Sequence, residues 1–181
     1  MKIQLVRISM FLILLLMLVG CGGNKQEDHF QIYIFSELND AFDGRVSKVL
    51  ENVIEEVIPK EEFGLYLFPK VVEKIVIEIV TKGGDIFILE EDIVMAALDP
   101  IGVHPLDLLI ESNDKIQRVE EYMFHNDETG AMSVYAVPIP SNSLLFKDIA
   151  NPLPNQYVAL IPHYSDDKEL AVKLLAHLLA N

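Results

Sequence analysis

A chain of 181 residues with 28 acidic side chains against 14 basic ones carries a formal net charge of −14. Such a surface is repelled by phosphate backbones, which excludes nucleic acid as a natural partner and disfavours adsorption on anionic lipid heads. A single cysteine excludes an internal disulfide and any Cys-based metal cluster.

The first 20 residues differ from the rest. Lys2 and Arg7 precede an apolar run, residues 8–19, interrupted only by Ser9. Twelve residues fall short of the roughly 18–20 that span a bilayer, and fit the apolar centre of a secretion signal. Leu18-Val19-Gly20-Cys21 follows: an aliphatic residue, a variable one, a small one, then cysteine. This resembles the lipobox of bacterial lipoproteins. The resemblance implies that the Cys21 thiol takes a diacylglyceryl group and that cleavage makes Cys21 the new N-terminus. The chain then divides into a signal peptide (1–20), a flexible tether (21–30) and one α/β domain (31–181). Loss of Lys2 and Arg7 leaves 12 basic against 28 acidic residues, a formal −16. Membrane contact is therefore expected from acyl chains on Cys21, with the domain on the extracytoplasmic face.

Residues 31–36 are apolar enough for a covered strand, and 38–42 read as a turn region. Asp43 is placed to cap a helix in which Val46, Val49, Leu50, Val53, Ile54, Val57 and Ile58 form one stripe, ended by Pro59. Residues 63–68 form a second strand, and Pro69 suits a first helical turn. Val71, Val72, Ile75, Val76, Ile79 and Val80 repeat at helical spacing, so 70–82 is expected to be helix despite its β-branched content. Gly83 and Gly84 close it with a left-handed cap. Ile86-Phe87-Ile88-Leu89 then reads as a strand buried on both faces, at the centre of the sheet.

Glu90, Glu91 and Asp92 suit the positive end of a short helix, 93–98. Two prolines and a glycine make 99–107 a loop. Residues 115–124 are expected to be helical, 126–130 a turn, 131–138 a strand, 141–156 a long connection and 157–162 the last strand. Ser165 or Asp166 should cap a final helix with Leu170, Ala171, Leu174, Leu175, Leu178 and Leu179 as its buried stripe. The pattern predicts a three-layer α/β sandwich with a mainly parallel central sheet.

Three places resemble the type II extracellular solute-binding proteins of ABC importers. The helix, glycine pair and Asp85-Ile86-Phe87-Ile88 resemble that family's third strand. Residues 99–109 resemble its G-x-x-x-P-L-D loop, and Tyr135-Ala136-Val137-Pro138 its strand entering the hinge. Residues 157–179 are similar to the segment returning to the first lobe. The resemblance implies one lobe of a periplasmic binding protein type II fold, with Asp107 and Tyr135 as ligand candidates. The family has two lobes, whereas only residues 140–156 stand where the second would be, too few to build a domain. Capture by closure of two bodies is not available to one lobe.

His104, His125, His163 and His177 show no metal-ligand spacing, and no nucleophile elbow, Walker loop or Gly-x-Gly-x-x-Gly occurs. No catalytic residue, metal or cofactor is expected. In an open α/β sheet a ligand sits beyond the carboxyl ends of the strands, where Ser36, Glu37 and Glu90 are the polar candidates. The sequence therefore points to a non-enzymatic binding or accessory lipoprotein, whose partner is an envelope protein or a small solute. The alternatives are a reduced importer receptor or, from another class, an enzyme acting on wall polymer.

Overall fold

The computed structural model describes residues 29–37, 44–113, 116–146 and 156–180. The signal segment, the lipobox cysteine Cys21 and the expected cap Asp43 lie outside the described residues. The elements in chain order are β1 (Phe30–Ser36), α1 (Gly44–Glu55), β2 (Phe63–Pro69), α2 (Val72–Val80) and β3 (Ile86–Glu90). They continue as α3 (Asp107–Glu111), β4 (Met123–His125), β5 (Met132–Val134), β6 (Val137–Ile139), β7 (Tyr157–Leu160) and α4 (Lys168–Leu178). β1 begins at Phe30, a buried residue inside the stretch assigned to the tether.

The main sheet has strand order β2-β1-β3-β7-β6, with β3 in the middle as expected. All five residues of β3 are buried, because β1 and β7 fill its two ladders and side chains cover both of its faces. The expectation of a mainly parallel sheet is not met. β1 pairs in parallel with β2 and β3, while β7 runs against both β3 and β6. The reason lies in the connections. Parallel neighbours need a crossover, which α1 and α2 provide; the link from β6 to β7 starts and ends at the same edge of the sheet, which forces an antiparallel pair.

Side-chain alternation gives each face its own core. Ile32, Ile34, Ile86, Ile88 and Ala159 pack with Leu50 and Ile54 of α1 and Ala171, Leu174, Leu175 and Leu178 of α4. On the other face Tyr33, Phe35, Phe87, Leu89, Val158 and Leu160 meet Ile75 of α2, Val94, Tyr122 and Tyr135. Aromatic rings dominate there: Tyr33 lies edge-on to Phe68 and Phe87 at 5.1 and 5.5 Å, and Phe35 stacks on Phe68 at 5.0 Å.

The end of α2 differs from expectation in one detail. The left-handed residue that ends the helix is Lys82 (φ 57°), and Gly83 N–H closes the turn on Glu78 O at 2.8 Å. Gly84 (φ 74°) is required for a second reason: a Cβ there would stand 2.9 Å from both Phe87 and Tyr33. Two further expectations fail. Residues 119–122 form a single 3-10 turn that leads into β4, and the β4–β5 hairpin replaces the helix expected over 115–124. The Asn126 side chain sets that hairpin by accepting from the Glu128 and Thr129 N–H groups at 2.9 Å. The cap of α4 is Asp167, accepting from Leu170 N–H at 2.9 Å, because Ser165 is committed to Asp85 at 2.8 Å.

α2 is held lightly. Ile75 is its one fully buried side chain, and Val72, Val76, Ile77 and Val80 face outward. Ile75→Ala should cost about 2–5 kcal/mol, the range for emptying a buried aliphatic site. Val80→Ala should change stability by no more than about 0.5 kcal/mol. Urea unfolding of the two variants checks both, and equal losses would show that α2 packs differently.

Candidate functional site

The carboxyl ends of β1, β2 and β3 and the start of β7 converge on Glu90. This side chain is fully buried at the end of the central strand. Burying a carboxylate is costly unless donors replace its water, and here they come from several elements. Oε1 accepts from Ser36 Oγ at 2.7 Å and from Glu37 N–H at 2.6 Å, both at the end of β1. Oε2 accepts from Lys70 Nζ at 3.0 Å, one residue past β2. Ser36 has one proton and gives it to Glu90, so the Tyr157 hydroxyl, 2.7 Å from Ser36 Oγ, donates to the serine. Register makes this possible: Glu90 stands opposite Tyr157, and Ser36 opposite Pro69, the neighbour of Lys70.

Lys70 serves three carboxylates. Besides Glu90 it contacts Glu37 Oε1 at 2.9 Å and Asp92 Oδ2 at 2.7 Å. Its side chain is 14% exposed, whereas Glu37 and Asp92 reach into solvent. The three carboxylates, Asp92 first, hold the Lys70 ammonium well above its ordinary range. Only the Glu90 carboxylate is shielded from water, so losing its partner is costly; the exposed pairs contribute about 0–1 kcal/mol each.

A second polar group adjoins the first. Arg118 sits in the left-handed region (φ 62°) and its guanidinium holds Glu91 Oε1 at 2.7 Å, Glu121 at 3.0 Å and the Gln156 side chain. Tyr122 donates to the same Glu91 oxygen at 3.0 Å, and Glu91 N–H donates to Gln156 O at 2.9 Å. Burial, then the Glu91 bond, raises the Tyr122 phenol far above its usual value. Successive residues of one segment, Glu90 and Glu91, thereby tie β1, β2, β7 and the 119–122 turn together.

Of the expected site residues, the structure brings Ser36, Glu37 and Glu90 into one bonded group. Asp107 and Tyr135 lie elsewhere. Asp107 opens α3 and accepts from Val134 N–H at 3.2 Å, while Leu106 N–H donates to Val134 O at 2.7 Å. Tyr135 is buried in the aromatic-face core beside Leu89 and Val158. Lys70 and Tyr157 were not found from the sequence. The signal was present in the order of the strands, since residues that end neighbouring strands share an edge. Among the described residues no three His, Cys, Asp or Glu side chains are placed to hold a metal ion.

Chemically, the group around Glu90 is a closed lock. Its buried oxygens are engaged, and its outward groups are the Glu37 and Asp92 carboxylates, which can take hydrogen-bond donors or a cation. No family model matches the chain, and no solved structure matches it. A curated protein described as "Putative lipoprotein YteS", from Bacillus subtilis (strain 168), is 27% identical over 163 residues, which is 90% of this chain and 89% of that protein. The 18 residues left over are too few to push Cys21 out of a continuous match. The similarity supports a lipoprotein. Among the described residues no helix is long and apolar enough to cross a membrane.

Lys70→Met should destabilise the fold by about 3–5 kcal/mol, because it strands a buried carboxylate. Adding Glu90→Gln should recover part of that loss, as read from the urea midpoints of the single and double variants. High pH supplies a second test. Burial pushes Tyr157 up to about 12, with the Glu90 charge adding and the Ser36 bond opposing, and Tyr33 also stands at about 12. Unfolded tyrosine ionises near 10, so between these values the folded state holds protons that the unfolded state has lost. Stability should therefore fall as pH rises from about 10 to about 12. Tyr157→Phe should make that fall shallower, measured as unfolding free energy against pH; an unchanged slope would remove Tyr157 from the account.

Proposed function

We propose that this chain is a lipid-anchored protein of the extracytoplasmic face of the cell membrane, and that it binds a partner without catalysing a reaction. The observation that carries the anchor is the order of charge, apolar run, small residue and cysteine ahead of the domain, together with a match, taking in Cys21, to a protein described as a lipoprotein. The non-catalytic reading rests on the state of the carboxyl-edge group. Glu90 is committed to Ser36, Glu37 and Lys70, and Lys70 to three carboxylates. A general base needs a free lone pair facing the substrate, and a general acid needs a proton it can release; here both are spent on structure. Recognition then falls to the exposed Glu37 and Asp92, which suit a cationic or hydroxyl-rich ligand.

One feature supports a narrower reading, a solute receptor reduced to a single lobe. β6 ends and β7 begins at the same carboxyl edge as Glu90, and it is between these strands that a second lobe would be inserted in the two-lobed importers.

Two measurements test the proposal. Cys21→Ser should abolish incorporation of a labelled fatty acid and move the protein from the membrane fraction to the soluble one. Retention of label in the variant would sink the anchor. Thermal unfolding of the purified protein with sugars, peptides, amino acids and divalent ions should show a rise of several degrees for a true ligand. At 100 times its dissociation constant a ligand adds about 2.7 kcal/mol. That rise should vanish in Glu37→Gln/Asp92→Asn; a rise that survives the change would place binding elsewhere.

A further inference from the structure

The outward face of α2 is apolar where a surface helix is normally polar. Val72, Val76 and Val80 form an i, i+4, i+8 row, with Ile77 beside it. Their exposure rises along the helix: Val72 41%, Val76 44%, Val80 75%. The most exposed end is the end nearest the point where the chain enters the domain. α2 starts at the carboxyl edge, where Val71 N–H donates to Pro69 O. It finishes at the amino edge, where Gly84 N–H reaches the Gln31 side chain at 3.2 Å and Asp85 N–H reaches Gln31 O at 2.7 Å.

Nine residue steps separate Cys21 from Phe30, so the chain between them spans at most about 30 Å. With acyl chains on Cys21, the amino edge stays within that distance of the bilayer surface. Docking of a nearby face is then intramolecular, at an effective concentration on the order of millimolar, and a small apolar row suffices. Charge argues against a second copy as the occupant, since each anchored chain, without Lys2 and Arg7, carries a formal −16. Along α2 itself Glu78 is paired with Lys74, Lys82 is exposed at the amino edge, and the exposed acid Glu73 lies in the first turn, at the far end.

From these placements we infer that the Val76–Ile77–Val80 end of α2 is a membrane-docking face, seated in the interface of the leaflet that holds the acyl chains. The inference rests on the lipid anchor proposed above. Docking would orient the sheet with its amino edge toward the bilayer and with Glu37 and Asp92, at the carboxyl edge, away from it.

The chain contains no tryptophan, so a single one reports without background. The full acylated protein, carrying Val80→Trp or Ile77→Trp, is reconstituted into phosphatidylethanolamine/phosphatidylglycerol vesicles; Lys173→Trp on α4 serves as control. The expected result is blue-shifted emission and quenching by brominated acyl chains for both α2 probes, and water-like emission for the control. Because repulsion between an acidic protein and anionic lipid is screened by salt, the shift should grow with ionic strength. Vesicle flotation and the mass of the N-terminal lipopeptide are read on the same sample. Flotation with an acylated Cys21 but water-exposed α2 probes overturns the docking inference alone. An unmodified Cys21 without flotation overturns the anchor and the inference with it. Protection of the probes that depends on protein concentration and not on lipid overturns it in favour of self-association.

Discussion

A carboxylate sealed from water at the end of a central strand has to be matched by donors, and the chain is arranged so that its neighbours supply them. Glu90 takes a hydroxyl and a backbone N–H from the end of β1 and an ammonium from just past β2, and through Ser36 it recruits the first residue of β7. Each donor arrives by a different segment. The bond set can therefore close only when β1, β2, β3 and β7 are in register, and a one-residue slip in any pairing would leave a buried charge uncompensated. Hydrophobic burial sets the sheet's stability, while this group specifies its alignment.

The same logic explains why an edge that looks like a ligand site in α/β proteins is largely self-satisfied here. In such sheets the carboxyl edge gathers unpaired polar groups, which a ligand then completes. In this chain Lys70 and Tyr157 fill that role from within. What is left for a partner is the outer pair of acids and the neighbouring Arg118 cluster, all of it at the rim.

Much of the framework could be read from the residues. The α1 and α4 stripes and the unbroken run 86–89 each carry a local signal with one dominant reading, and tertiary contacts agree with it. The strand-end rule also brought Ser36, Glu37 and Glu90 together. Strand direction was not legible for β6 and β7, because a short apolar run looks alike in either sense and only the connection decides. The helix expected over 115–124 fails for a related reason: Val119, Tyr122 and Met123 fit helical spacing, but the Asn126 turn pulls the chain into a hairpin. Lys70 is not legible as a site residue because it follows a proline that suits a helix start, whereas Pro69 ends β2 and aims Lys70 at the edge. Asp107 and Tyr135, ligand candidates by resemblance, lie apart from that group.

The order of strands also fixes which borders of the sheet remain open to further pairing among the described residues. β6 is three residues long and has Pro138 at its centre, which cannot donate to another strand. β2, at the opposite border, is seven residues long, apolar, and has its proline only at the very end. An extended segment seeking a partner finds one border blunted and the other intact. Strand addition by an extended segment is thereby favoured at β2 over β6. A lysine or proline placed near Leu65 or Leu67 is the natural way to close that border in an engineered form.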